Sequence, residues 1–223
     1  MTASKTFRNL DERKQEAVLD TALAEFAEHG YHQASVNRMA KRLDIAKGSF
    51  FKYFASKEGM FRHVFDHCVQ LFSAPLRQAR EQSRGLDLFS RVELSLSAGL
   101  TFLKRHPLVY RLYLKMLFQE RFPMRETLLK EVRLYSAKYL RSLVRDAMES
   151  GELRPGLDPD VAVFFLDAVM DRFLQAHAVD FLDADLGLHG GDEQRSRQCL
   201  EAVVDMLRNG LAREHAEIEA ADA

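Results

Sequence analysis

The sequence predicts an all-α protein, in which a small N-terminal helix-turn-helix domain is joined by a helix to a larger C-terminal helical domain. Apolar residues recur at intervals of three and four along the long segments, which is typical of amphipathic helices. No segment shows the alternating pattern of a convincing strand. The clearest loops, residues 151–159 and 186–191, contain glycine and separate helical segments.

The first predicted helix runs from about residue 11 to residue 29. Its apolar face contains Leu19, Ala22, Leu23 and Phe26. Gly30 follows as a C-terminal stop, because glycine readily adopts the left-handed backbone that ends many helices. This helix and the next two are predicted to form one small unit.

Two short helices are predicted next, on either side of a three-residue turn. The apolar residues of the first fall at i, i+3, i+4 and i+7 and are Val36, Met39, Ala40 and Leu43. Ser35 suits the N-cap of this helix, and Asp44 tolerates a left-handed backbone in the turn. The second helix starts at about Ala46, and Phe50 and Phe54 are its inward-facing side chains. This arrangement predicts a helix-turn-helix.

Positive charge is concentrated in the same segment. Residues 31–57 carry six cations against one anion, whereas residues 150–223 carry six cations against 16 anions. Because the cations coincide with the helix-turn-helix pattern, they are expected to face phosphate groups of DNA. The acidic C-terminal part is not expected to contact DNA.

The remaining chain is predicted to form long helices. Ser56 is the predicted cap of a helix that reaches about residue 79 and links the helix-turn-helix to everything after it. Five further helices are predicted, at about 88–105, 107–120, 124–149, 159–183 and 192–214. Pro107 and Pro159 suit first helical positions, and Asp158 suits an N-cap. We divide the chain into a DNA-binding domain, residues 1–58, and a larger C-terminal helical domain, residues 59–223.

Composition narrows the class of protein. The chain is 47% hydrophobic and 29% charged, which is typical of a folded protein with an ample core. No run of about 18 apolar residues is present and the N-terminus does not resemble a signal peptide, so no membrane partner and a cytoplasmic location are expected. Cys68 and Cys199 are too few for a disulfide framework and are expected to be free thiols.

Signatures of enzymatic chemistry are missing from the sequence. His63 and His67, with Asp66 between them, have the i, i+4 spacing of a metal-binding pair, but no third ligand is suggested nearby. No nucleophile elbow and no complete phosphate-binding loop occur. No catalytic residue, metal or cofactor is therefore predicted.

The helix-turn-helix and its flanks resemble the TetR family of transcriptional regulators over roughly residues 11 to 65. The residues that carry the resemblance are Ala22, Phe26, Gly30, Tyr31, Ser35, Val36, Met39, Ala40, residues 45–49, Tyr53, Phe54, Ser56, Lys57 and Glu58. The resemblance implies a homodimer that binds a palindromic operator in double-stranded DNA and usually represses transcription. It also implies a small-molecule effector, of unknown class, that releases the protein from DNA.

The resemblance also implies residue roles. Lys47, Gly48 and Ser49 resemble family positions that approach base edges, and Ser35, Tyr53 and Lys57 resemble phosphate contacts. The full predicted DNA-binding set is Ser35, Val36, Arg38, Lys47, Gly48, Ser49, Phe51, Lys52, Tyr53 and Lys57. Two positions depart from the family pattern: Asp44 replaces the usual turn glycine, and Phe51 stands where a tyrosine is common, with the cation of Lys52 beside it.

The resemblance implies that residues 59–223 form a regulatory and dimerisation domain, which offers weaker candidates. Aromatic and apolar residues predicted to line a ligand cavity are Tyr113, Leu117, Tyr135 and Phe165. Residues predicted to form a four-helix dimer interface, as the resemblance implies, are Phe164, Ala168, Phe173, Val203 and Leu207. The same apolar stripes could instead close the core of a monomer.

Two alternative functions remain open from the sequence. The first is a DNA-binding protein without a small-molecule inducer, controlled by a protein partner or used architecturally. The second is a helical enzyme or carrier with an accessory DNA-binding unit, which the missing catalytic signatures disfavour.

Overall fold

The computed structural model describes residues 4–118 and 121–211, and within these ranges the chain is helical without a β-strand. The ten α-helices are α1 Lys5–Arg8, α2 Glu12–Gln33, α3 Val36–Arg42, α4 Lys47–Phe54, α5 Lys57–Gln82, α6 Leu88–Arg105, α7 Pro107–Phe118, α8 Arg125–Glu149, α9 Pro159–Ala178 and α10 Glu193–Leu211. A short 3-10 turn, Asp180–Leu182, follows α9. The predicted all-α fold class is confirmed.

Most predicted helix bounds agree with the structure to within a few residues, and two differences are informative. Helix α1 was not predicted at all. The helix predicted at 159–183 ends at Ala178, after which the chain turns through Asp180–Leu182. The ends predicted at residues 120 and 214 lie outside the described residues.

The predicted helix caps are confirmed. Ser35 Oγ accepts a hydrogen bond from Arg38 N at 3.4 Å, and Asp158 Oδ1 accepts from Asp160 N at 2.8 Å and Val161 N at 3.1 Å. Ser56 Oγ accepts from Gly59 N at 2.9 Å. These bonds satisfy N–H groups that have no partner inside the helix.

Gly30 interrupts α2 but does not end it. Its φ of 69° and ψ of 178° leave the helical region, and the helix then continues to Gln33. Glycine is required here because other residues rarely adopt this backbone conformation. The predicted stop is therefore a kink.

The described residues form two compact units. The first contains residues 4–74 and 104–131, and the second contains residues 75–103 and 132–211. This division separates parts of the chain that pack within themselves, whereas the boundary predicted at residue 58 separates two functions. That boundary stays a prediction.

The first unit has an aromatic core. Helix α2 packs against α7, and Phe26 and Phe61 are fully buried with ring centroids 5.1 Å apart. Phe122, from the segment before α8, stacks on Phe61 with the centroids 5.3 Å apart. Arg125 donates hydrogen bonds to Met116 O and Leu117 O, the last carbonyls of α7. Side chains far apart in sequence thus hold α2, α5 and α7 together.

The second unit has an aliphatic core that draws on α6, α8, α9 and α10. Side chains deeply buried in it include Leu88, Val92, Leu96, Leu143, Leu166 and Leu207. Gly99 allows a close approach between α6 and α9, since a Cβ there would lie only 3.0 Å from Leu174 Cδ2. No helix among the described residues has both the length and the apolar content needed to cross a bilayer.

We expect Leu143→Ala to lower the free energy of unfolding by about 2 to 5 kcal/mol, because it leaves a cavity in the core of the second unit. Leu134, on the same helix, is 57% exposed whereas Leu143 is fully buried, so Leu134→Ala is the matched control and should change stability by about 0.5 kcal/mol or less. Urea unfolding followed by circular dichroism measures both. Equal losses for the two variants would contradict the assigned core.

Candidate nucleic-acid interface

Helix α4 exposes the residues that were predicted to read DNA. It buries only Phe50 and Phe54, which are 2% and 6% exposed, and so confirms them as its inward-facing side chains. Of the predicted DNA contacts on α4, Lys47, Gly48, Phe51 and Lys52 are exposed, and Ser49 and Tyr53 are half-buried. These residues thus share one short helix with an accessible face, and their contacts with DNA stay a prediction.

The turn before α4 has the predicted geometry. Asp44 has a φ of 51°, and Ile45 N donates to Ala40 O at 3.1 Å across the turn. Aspartate is among the few residues that adopt this left-handed backbone without a large penalty. Asp44 therefore replaces a turn glycine without loss of the turn, and its side chain is exposed.

A buried carboxylate holds the start of α3. Glu25, on α2, is 1% exposed and accepts hydrogen bonds from Ser35 N at 2.8 Å and from Arg38 Nε at 2.8 Å, with Arg38 Nη2 as a further donor. Burial alone would raise the pKa of Glu25, but the hydrogen bonds from Arg38 and Ser35 outweigh it and place the pKa below its ordinary value. The carboxylate stays ionised and ties the N-terminus of α3 to α2.

This pairing gives Arg38 a role inside the chain. Besides its bonds to Glu25, Arg38 Nη2 donates to Gln33 O at 2.8 Å. Three of its donor contacts are therefore made within the chain, although half of the side chain remains exposed. Arg38 thus helps to position α3, and its predicted contact with DNA stays a prediction.

Lys57, predicted to contact phosphate, also has partners inside the chain. Its Nζ donates to His32 O at 3.2 Å and lies 4.7 Å from the centroid of the Tyr31 ring. Lys57 thus joins the start of α5 to the end of α2. The half-buried Ser35 and Val36 lie at the start of α3, and their predicted contacts with DNA stay predictions.

The sequence did not reveal that α1 belongs to this region. Phe7 is 1% exposed, and its ring lies 4.9 Å from that of Phe54, between centroids. Ser4 N donates to Tyr53 O at 2.9 Å. A four-residue helix is too short to show periodicity, and a single phenylalanine in a polar segment was the signal available.

The residues predicted to line a ligand cavity are divided between the two units. Tyr113 and Leu117, on α7, are half-buried in the first unit. Tyr135 and Phe165, in the second unit, are 39% and 44% exposed. Neither unit by itself brings the four side chains together, so a ligand site at these residues stays a proposal.

Part of the predicted dimer interface lies on the surface of the second unit. Phe164 is 74% exposed, Ala168 is exposed and Val203 is half-buried. Phe173 and Leu207, in contrast, are 5% and 2% exposed and belong to the core of their own unit. A buried side chain has little surface left for a partner, and the interface role predicted for these two residues stays a prediction.

The histidine pair borders a cleft of about 280 Å³ in the first unit. Its lining includes Phe7, Glu16, His63, Asp66 and His67. Burial lowers the pKa of both histidines, so they are largely neutral at pH 7. Within residues 4–118 and 121–211, no three His, Cys, Asp or Glu side chains are arranged to hold a metal ion.

The two thiols are free. Cys68 is buried, and desolvation raises its pKa to about 12, so it has little thiolate character. Cys199 is half-buried. Both observations agree with the free thiols that were predicted.

Comparison with known proteins gives a consistent result for the helix-turn-helix. Residues 18–64 match the family model described as bacterial regulatory proteins, tetR family. A solved structure of a TetR family transcriptional regulator from Chloroflexus aurantiacus J-10-FL is similar, with a TM-score of 0.73 and 29% identity. That similarity covers 96% of this chain and 100% of the other.

Two curated relatives are similar over most of their length. The fatty acid metabolism regulator protein of Bacillus subtilis (strain 168) is 26% identical over 196 residues, which cover 86% of this chain and 94% of the relative. The HTH-type transcriptional regulator RutR of Escherichia coli (strain K12) is 26% identical over 205 residues, which cover 89% and 90% respectively.

We expect Glu25→Gln to lower the free energy of unfolding by about 1 to 3 kcal/mol, because a neutral amide accepts less strongly from Arg38 and Ser35. Glu28→Gln is the matched control: it removes the same charge from the same helix, but the Glu28 side chain is 43% exposed. Thermal unfolding of both variants at pH 7 measures the effect. A loss for Glu28→Gln as large as that for Glu25→Gln would refute the role of the buried carboxylate.

Proposed function

Because the chain belongs to the tetR family of bacterial regulatory proteins, it is a DNA-binding transcriptional regulator, and we propose that it acts as a ligand-responsive repressor. In this proposal two copies of the chain form a homodimer on a palindromic operator, and a small-molecule effector bound by the C-terminal helices weakens operator binding. Such a regulator acts in the cytoplasm, where its DNA is.

The DNA-reading role proposed for α4 rests mainly on Gly48. A Cβ at this position would have no heavy atom of the described residues within 4 Å, beyond the backbone of its own helix and its chain neighbours. Packing within the chain therefore does not require glycine, and glycine costs helix stability relative to alanine. A close approach of this backbone to DNA supplies a reason for the missing side chain.

The neighbours of Gly48 suit the same role. Lys47 can donate to guanine O6 and N7 in the major groove, and the hydroxyl of Ser49 can bond to several base edges. Lys52 and Lys57 add charge for the phosphates. Because cations that meet phosphates release counterions, binding should weaken steeply as salt rises.

The exposed apolar face of α9 and α10 supports the homodimer. Val161, Phe164 and Met206 are 63%, 74% and 71% exposed, which is unusual for large apolar side chains. In a two-fold dimer, the same face of each copy would pack together. The two α4 helices would then reach major-groove segments about 34 to 36 Å apart, or somewhat more.

The candidate residues for the effector site remain Tyr113 and Leu117 in the first unit and Tyr135 and Phe165 in the second. Aromatic and aliphatic side chains with a few polar groups are typical linings of small-molecule sites. Effector and operator would weaken each other's binding by the same factor, since the coupling free energy is reciprocal.

The test of the proposed function is fluorescence anisotropy with labelled DNA from upstream of the protein's own coding region, measured against a scrambled duplex at several salt concentrations. We expect a sequence preference that persists as salt rises, together with falling affinity for both duplexes. Equal affinity for the two duplexes at every salt concentration would refute an operator-binding function.

Gly48→Ala should separate stability from DNA binding. We expect the variant to gain about 0.5 to 1 kcal/mol of stability, because alanine favours the helix and meets nothing in the chain. Its affinity for the operator should fall at least tenfold, because the methyl group obstructs the approach to DNA. Anisotropy and thermal unfolding measure the two effects.

Gly210→Ala is the matched control, since residue 210 lies in α10 and a Cβ there also meets nothing within 4 Å. It should stabilise the chain without changing operator affinity. Unchanged operator affinity for Gly48→Ala would show that α4 does not approach DNA at this position.

Phe164→Asp should shift the protein from dimer to monomer, because a charge replaces an exposed aromatic ring at the proposed interface. Phe181→Asp is the control, since Phe181 is 83% exposed and lies in the turn after α9 rather than on α9 or α10. Sedimentation equilibrium gives the mass of each variant. A dimer of unchanged affinity in Phe164→Asp would place the interface elsewhere.

A further inference from the structure

We propose that residues 4–10 form an N-terminal clamp that holds α4 in the orientation needed to read DNA, and that Ser4 and Phe7 are its positioning residues. The proposal rests on the proposed operator-binding function and adds to it a part of the chain that precedes the helix-turn-helix. None of the clamp residues is proposed to touch a base.

The need for a clamp follows from the size of α4. It has eight residues, and isolated helices of that length are unstable in water. Only Phe50 and Phe54 are buried, and its N-cap residue, Ala46, makes no side-chain hydrogen bond. Its position must therefore be fixed mainly by neighbouring parts of the chain.

The first clamp contact is a hydrogen bond at the C-terminal end of α4. The last four carbonyl groups of a helix meet no N–H donor within the helix and need donors from elsewhere. Ala55 N donates to Phe51 O, and Ser56 N donates to Phe54 O. Tyr53 O accepts from Ser4 N, at 2.9 Å. The clamp thus supplies a donor from outside the helix-turn-helix.

The second contact is aromatic. The Phe7 ring lies 4.9 Å from the Phe54 ring, 5.8 Å from the Tyr53 ring and 5.4 Å from the His63 ring, measured between centroids. Phe54 and Tyr53 belong to α4, whereas His63 belongs to α5. Phe7 therefore fills the space where α4 meets α5 and joins the two.

The clamp is itself fixed at both ends. Ser4 Oγ accepts from Phe7 N at 3.2 Å, which caps α1. Gln15 Nε2, on α2, donates to Leu10 O at 2.8 Å and to Arg8 O at 3.4 Å. Because α2 belongs to the core of the first unit, the clamp connects that core to α4.

This arrangement predicts an effect on specificity more than on overall affinity. Base contacts need donors and acceptors held in register, whereas non-specific binding depends on charge and tolerates displacement. A loosened α4 should lose affinity for the operator and keep its affinity for a scrambled duplex. A general loss of folded protein would instead reduce both in proportion.

Ser4→Pro and Ser4→Ala form a pair that isolates the hydrogen bond to Tyr53. Ser4 has a φ of −63°, which proline adopts without strain. Both variants lose the hydroxyl that caps α1, but only proline also lacks the N–H that Tyr53 O accepts. The difference between the two therefore reports the clamp contact with α4.

We expect Ser4→Pro to bind the operator about three- to tenfold more weakly than Ser4→Ala, which corresponds to the loss of one hydrogen bond. Affinity for a scrambled duplex should be the same for both. Phe7→Leu should fall between wild type and Phe7→Ala in operator affinity, because leucine refills part of the space. Equal operator affinity of Ser4→Pro and Ser4→Ala, or equal losses on both duplexes, would overturn the proposal.

Amide hydrogen exchange separates this proposal from the proposed function. Exchange in α4 should be faster in Ser4→Pro than in Ser4→Ala, with exchange in α10 equal in the two variants. If the wild-type chain shows no sequence preference on DNA, the operator-binding function fails, and the exchange rates still decide whether the clamp holds α4. Equal exchange in α4 for the two variants refutes the clamp.

Discussion

The contacts around the helix-turn-helix of the first unit fix the position of one short helix, α4. Eight residues with two buried side chains cannot fix their own position, because the apolar area they bury is small and their end groups lack partners. The chain meets this requirement with contacts from several directions. Phe7 packs beside Phe54, the turn at Asp44 connects α4 to α3, and α5 follows after a single turn. A short helix with an open face is free to enter a groove only because its other sides are occupied.

The same requirement explains a buried charge. Glu25 lies where an apolar side chain would cost less to bury, yet its Oε1 accepts hydrogen bonds from both Ser35 N and the guanidinium of Arg38. An apolar residue could fill the space but could not set the direction in which α3 leaves α2. Orientation, rather than burial, is what the carboxylate contributes. Lys57 has a similar effect close by, since its bond to His32 O aligns α5 with α2.

The sequence was a good guide to local structure and a poor one to partners. Spacing of apolar residues placed α3 to α10 well, and Ser35, Asp44 and Asp158 have the caps and turn that their chemistry predicts. Pairings between residues that are distant in sequence could not be predicted. Arg38 and Glu25, for example, are 13 residues apart, and no local pattern connects them. Spacing alone did not separate exposed from buried residues of one apolar stripe. Phe164 and Phe173 both belong to α9, but Phe164 is exposed and Phe173 lies in the core.

The stacking of Phe122 on Phe61 has a consequence for how the protein is made. Helix α2 leaves the ribosome early, but the side chains that cover it come from residues 104–131. Roughly seventy more residues must therefore be synthesised before the core beneath the helix-turn-helix is complete. During that interval Phe26 and Phe61 are accessible to chaperones and proteases. A nascent chain that stalls before residue 122 would therefore lack part of the aromatic core that supports the helix-turn-helix. The core of the first unit is therefore complete only when residues 104–131 have been synthesised.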